Sequence, residues 1–219
     1  MRPSNLKHKH ADALQYLIVG LLALSVAACG PLISFGGDEK PGEIYGLRYP
    51  APYAASSPVG PIVYIDSPQM VEALGGQNIA VVMPDGQRTS LDGVTWATNL
   101  SDILRDYIGH SLSATEANII SEGGLDIKAG CRLGLKVWSF EFAPGISAED
   151  DKVKIAIQFS LVRLSDSVLL SHPTFSQEIA VKNATASGVV GSFRAGMEAA
   201  AKDYGVWFQE RMNQCQFKG

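Results

Sequence analysis

Lys152-Val153-Lys154-Ile155-Ala156-Ile157-Gln158-Phe159-Ser160-Leu161 sets Val, Ile, Ile, Phe and Leu at every second position, with Lys, Ala, Gln and Ser between them. Neighbouring side chains of a strand point to opposite faces, so this period of two describes a strand with one face buried and the other largely solvated. It lies within 151–164, between two further long candidate strands, 131–142 and 168–182. Ala143-Pro144-Gly145 with an acidic loop makes the first connection, and Ser165-Asp166-Ser167 a tight second one. An antiparallel meander is the expected product.

Working outward, the period changes on both sides. From about Ser187 to Gln214, Val189, Val190, Phe193, Met197, Ala200, Tyr204, Trp207, Phe208 and Met212 recur at three- and four-residue steps, the spacing of one helical face. Upstream, Trp96, Leu100, Ile103, Leu104, Tyr107, Ile108 and Leu112 share such a face, which predicts a helix from about Trp96 to Leu112 capped by Thr95 or Thr98. Earlier still, Ile44–Tyr49, Ile62–Ile65, 79–83 and Arg88–Leu91 read as strands, with Pro50, Pro52, Pro58 and Pro61 in one connection and Pro84-Asp85-Gly86 in another. The expected fold class is α+β: a mixed, largely antiparallel sheet covered by two amphipathic helices, in a single domain.

The first 29 residues have a different grammar. A cationic start (Arg2, Lys7, Lys9) precedes an apolar stretch from Leu14 to Ala28, which closes on small residues before Cys29. As a helix this stretch would measure about 22 Å, short of the roughly 30 Å of a bilayer core. Its layout is that of a cleaved export signal. Val26-Ala27-Ala28-Cys29 resembles the lipobox of bacterial lipoproteins: small residues admit a signal peptidase, and the thiol is the group that diacylglycerol alkylates. A plain secretory signal with a chance cysteine is the alternative. The expected division is a signal peptide at 1–28, an acylated Gly/Pro-rich tether at 29–42 and a folded domain at 43–219. The expected lipid attachment site is Cys29.

Removal of 1–28 takes away three Lys/Arg and one Asp, leaving fifteen basic and twenty-one acidic residues, a net charge of −6. That balance argues against nucleic acid and against a polybasic grip on anionic lipid. Cys131 and Cys215 remain as an even pair in an exported chain, and we expect a disulfide between them, with two buried free thiols as the alternative.

Chemistry is hard to find. His110 and His172 are the only histidines after residue 28, and neither has metal-ligand spacing. His110 suits the C-terminal end of a helix, and His172 precedes Pro173 in what reads as a strand irregularity. Gly188-Val189-Val190-Gly191-Ser192 lacks the spacing of a nucleophile elbow. Glu149-Asp150-Asp151 lacks the alternation of a calcium loop and reads as a solvated turn. Asn183-Ala184-Thr185 matches a glycosylation sequon, uninformative behind a bacterial signal. Trp96, Trp138, Trp207, Tyr204 and Phe208 fit a core better than a lipid groove. Gly46, Tyr49 and the prolines after them could form an exposed docking edge. No catalytic residue, metal or cofactor is expected.

Tyr45-Gly46-Leu47, Pro61-Ile62-Val63-Tyr64-Ile65, Pro68-Gln69-Met70-Val71 and Trp96-Ala97 follow the lipobox in an order that resembles the PqiC-like family, auxiliary lipoproteins of ABC-type transport systems that carry MCE proteins. The likeness runs over roughly residues 43–214, and Gly75-Gly76-Gln77-Asn78 fits it only loosely. The resemblance implies a non-enzymatic role in moving phospholipid or a similar lipid between the membranes of a Gram-negative envelope. Its implied partners are an MCE-domain protein and the ABC permease and ATPase, with homo-oligomerisation left open. The implied place is the periplasmic face of the outer membrane, since Gly30 is not the Asp that retains some lipoproteins at the inner membrane, which stays the alternative. An envelope scaffold or assembly-factor lipoprotein is the competing reading.

Overall fold

The computed structural model describes residues 42–52, 60–71, 74–113, 118–120 and 128–216. In chain order these give β1 (Glu43–Tyr45), β2 (Ile62–Ile65), β3 (Gln69–Met70), β4 (Asn78–Val82), β5 (Arg88–Trp96), α1 (Leu100–Ser113), β6 (Asn118–Ile120), β7 (Cys131–Ala143), β8 (Lys152–Arg163), β9 (Val168–Ser171), β10 (Thr174–Ala180) and α2 (Ala186–Gln209). The expected signal, Cys29 and nearly all of the tether lie outside the described residues.

The long strands β7 and β8 pair antiparallel along their whole lengths, from Cys131 opposite Arg163 to Ala143 opposite Lys152. Short strands tile their outer edges. Along β7, three parallel partners follow one another: β2 at Cys131–Leu133, β3 at Lys136–Val137 and β4 at Glu141–Phe142. Along β8, β10 pairs with Lys152–Gln158 and β9 with Leu161–Arg163, both antiparallel. The result, over the described residues, is a mixed ten-stranded sheet with two α-helices. The α+β expectation holds. The parallel partners of β7 were not foreseen, nor were β3 and β6.

The alternation in β8 does what its period requires. Val153, Ile155, Ile157, Phe159 and Leu161 are all buried, and the residues between them are partly exposed. The buried set meets α2, and Phe159 packs against Tyr204 and Trp207 with ring centroids 5.1 and 5.7 Å away. Both helices contribute to one core, α1 through Leu100, Ile103, Leu104, Tyr107, Ile108 and Leu112. Of the aromatics weighed as core or groove, Trp96, Tyr204, Trp207 and Phe208 are core. Trp138 is exposed.

Several boundaries differ from the sequence expectation. Trp96 belongs to a strand: its N–H donates to the Gln77 carbonyl at 2.7 Å, and the Ala97 N–H donates to the Tyr45 carbonyl at 2.7 Å. The sheet therefore holds the backbone through Ala97. The Asn99 carbonyl takes the first helical N–H groups, of Asp102 and Ile103, so α1 starts beyond Thr95 and Thr98. The expected strand 44–49 stops at Tyr45, and the expected strand 168–182 breaks at His172-Pro173. Pro173 has no N–H for the ladder, although its carbonyl still accepts from the Phe159 N–H at 2.9 Å. The last helix ends at Gln209 and a 3₁₀ turn, Met212–Cys215, replaces its expected final turn. Cys215 is joined to Cys131 with the Cα atoms 5.1 Å apart.

Candidate functional site

Among the described residues, no cluster of His, Cys, Asp or Glu could hold a metal ion. The residues weighed for chemistry have structural partners instead. Asp151 is buried rather than solvated, and its carboxylate accepts the Gly145 N–H at 2.8 Å. Asp150 accepts the Ser147 hydroxyl at 2.9 Å. Thr185, the last residue of the sequon, caps α2 by accepting the Gly188 N–H at 3.2 Å. The Thr-x-x-Gly spacing ahead of an apolar helical face was the legible signal for that cap. Ser192 donates to the Ala180 and Gly188 carbonyls at 3.3 and 3.1 Å, tying α2 to the end of β10.

Two surfaces remain. The first is a groove of about 600 Å³ where the chain leaves β1 and passes α1, lined by Leu47, Tyr49, Ala97, Ile103, Tyr107 and His110. The stretch Gly46–Tyr49, considered above as a docking edge, is its wall. The Tyr49 ring meets the Tyr107 and His110 rings edge-on, at centroid distances of 5.6 and 5.4 Å. The Tyr107 hydroxyl is buried with no hydrogen-bond partner among the described residues, and burial pushes its pKa well above the ordinary tyrosine value.

The second is the face of the sheet opposite the helices. A β-bulge shapes it: Val137 opposes Ile157 and Ser139 opposes Ala156, which leaves Trp138 as the extra residue. Before the bulge the odd positions of β7 face the helices (Leu133, Leu135, Val137). After it the even ones do (Phe140, Phe142). Trp138 continues the open-face row of Arg132 and Lys136, and the Lys136 ammonium lies 3.8 Å from its ring centroid. A shallow hollow of about 890 Å³ lies beside it, with Tyr64, Asp66, Arg132, Lys136 and His172 around a floor at Gly134. Gly134 opposes Ser160, two of the smallest residues of the long strands, so the floor is low. Arg132 and Asp66 pair at 2.8 Å on its rim. No helix of the described residues is long and apolar enough to cross a membrane.

A model of the ABC-type transport auxiliary lipoprotein component family matches residues 45–203, from the last residue of β1 into α2. The chain belongs to that family. This auxiliary lipoprotein shares its fold with a crystallised protein from Xanthomonas campestris at a TM-score of 0.64 and 17% identity, with 78% of this chain and 97% of that one covered. A second crystal structure, of an uncharacterised protein, aligns at a TM-score of 0.62 and 16% identity over 77% of this chain and 99% of that one. Comparison with curated proteins gave no match. Family membership makes this an ABC-type transport auxiliary component and gives it a place in the cell envelope.

Proposed function

We propose that the chain is a non-enzymatic periplasmic lipoprotein, held to the inner leaflet of the outer membrane by acyl chains on Cys29. In this reading it serves an ABC/MCE-type system that moves phospholipid between the two membranes. Residues 1–28 are the signal removed on export, 29–42 the tether and 43–219 the working domain. The family match across the folded domain is the observation that carries the reading. The Val26-Ala27-Ala28-Cys29 sequence supports the anchor, since two or more acyl chains hold a protein stably where one does so marginally. The way the core is filled supports action by contact. Phe140, Phe159, Phe193, Tyr204 and Phe208 occupy the space between sheet and helices themselves.

Affinity capture of the mature protein from its own envelope tests the role. The MCE-domain protein should come with it, and recovery of an unrelated outer-membrane or cell-wall protein would favour the scaffold reading. Fractionation of Cys29→Ala tests the anchor separately. Release from the membrane, or an uncleaved precursor, is expected, and unchanged fractionation with unchanged mass would refute it.

A further inference from the structure

The mature chain is acidic, with a net charge of −6, yet its charges are unevenly placed. Among the described residues, the open face of the sheet carries five cations, Arg88, Arg132, Lys136, Lys152 and Lys154, against four carboxylates, Asp66, Asp92, Glu141 and Glu178. Three of the carboxylates are paired: Glu141 with Arg88 at 3.6 Å, Asp66 with Arg132 at 2.8 Å and Glu178 with Lys152 at 2.7 Å. Lys136 and Lys154 make none of these ion pairs, although Lys154 stands across the ladder from both Glu141 and Glu178, and both lysines lie near the bulge in β7. A whole-chain sum conceals this local excess of positive charge. Around it the face is built from Ser139, Gln158, Ser160, Thr174 and Ser176, polar but uncharged.

We propose that this open face is the one the anchored domain lays against the anionic headgroups of its own membrane, with Trp138 at the headgroup boundary and Lys136 and Lys154 beside phosphates. This rests on the acylation of Cys29 proposed above. Charge complementarity selects the occupant. The surplus is cationic, and an indole is the side chain whose apolar body and polar N–H suit a membrane–water boundary. Two cations and one indole would bind free vesicles weakly. The tether changes the requirement, because 13 residues between Cys29 and Glu43 have a typical span of about 20 Å and keep the domain at high effective concentration over the bilayer. The acyl chains have already met the cost of bringing protein and membrane together, so a weak face is enough to set orientation. The hollow over Gly134, with Arg132 and Lys136 on its rim, has room for a headgroup.

Trp138 supplies the readout, since it is 43% exposed while Trp96 and Trp207 are 2% and 8% exposed. The acylated full-length mature protein is reconstituted into vesicles of phosphatidylcholine alone, or mixed with phosphatidylglycerol, with brominated acyl chains as quenchers. Flotation reports the anchor and tryptophan quenching reports the face. Quenching is expected in the anionic vesicles, severalfold weaker in the neutral ones, and absent in W138F. It should also fall severalfold in the double variant K136E/K154E, which still floats and keeps its circular dichroism. Protein that floats in both vesicle types with Trp138 unquenched overturns the orientation and leaves the anchor standing. Protein that does not float overturns both. A Trp138 emission shift produced by added MCE protein, without lipid quenching, gives the face to a protein partner and overturns the proposal as well.

Discussion

Phe140 lies stacked on Phe193, with ring centroids 4.6 Å apart and planes within 16° of parallel. The contact joins the second half of β7 to α2, and it exists because of the bulge at Trp138. Without the bulge, the alternation that begins at Leu133 would carry Ser139 and Glu141 into the core and leave Phe140 on the open face beside Trp138. A local departure in strand pairing thus turns Phe140 inward, while Trp138 keeps the exposed side.

Phe140→Ala removes that stack and leaves a cavity against Trp96 and Phe193. We expect a loss of about 3–5 kcal/mol and a melting temperature lower by roughly 10 °C. Thermal denaturation followed by circular dichroism checks it, and a shift of only a degree or two would show that the site collapses around the gap.

Leu104 is fully buried on the inner face of α1. Leu104→Asp puts a carboxylate there without a partner, at an expected cost of several kcal/mol. Its urea midpoint should fall steeply or the variant should fail to accumulate. A midpoint like that of the parent would mean that the face of α1 has been misassigned.

The bridge between Cys131 and Cys215 closes a sequence separation of 84 residues, for which chain entropy gives on the order of 4–5 kcal/mol as an upper expectation. Non-reducing peptide mass spectrometry should find the two cysteines linked, and free alkylation of both would rule the bridge out. Gly130→Ala is a second probe, because a Cβ at that position would lie 1.7 Å from the Cys215 carbonyl oxygen. That variant should melt lower than the parent and expose a larger fraction of free thiol.

Tyr107 and Tyr204 should respond in opposite directions to the loss of a hydroxyl. Ser111 gives its one proton to the Ile108 carbonyl at 2.9 Å, so the Tyr204 hydroxyl donates to Ser111 at 2.6 Å. Tyr204→Phe should cost about 1 kcal/mol. Tyr107→Phe, which removes a hydroxyl with no partner among the described residues, should be neutral or stabilising. Burial raises the pKa of both phenols above the ordinary value of 10.0. A folded pKa raised above the unfolded one gives stability that is complete below pH 10 and is lost as pH climbs beyond it. Denaturant midpoints measured across that range should fall above pH 10, with the fall reduced in each Phe variant. A flat alkaline profile in the parent would refute the burial argument.

Much of this molecule was legible in local periods. The alternation of Val153 to Leu161 gave the strand and its buried face, and the three- and four-residue steps of α1 and α2 gave their inner faces, because side-chain direction along a helix or strand follows from backbone geometry alone. His172-Pro173 marked an irregularity within the expected strand 168–182, and there the chain divides into β9 and β10. The candidate site was only partly legible. The cysteine pair stood out as residues, but Trp138, read with the core aromatics, is exposed.

Sequence by itself determined the long strands and both helices with their buried stripes, and it set out the export grammar ending at Cys29. Tertiary structure decided the rest: three short parallel strands laid along one edge of β7, Trp96 and Ala97 held in the sheet by Gln77 and Tyr45, and the bulge that turns Phe140 inward. These features depend on hydrogen bonds between segments far apart in the chain, and such pairings leave no period to read. Their partners become known only when the strands meet.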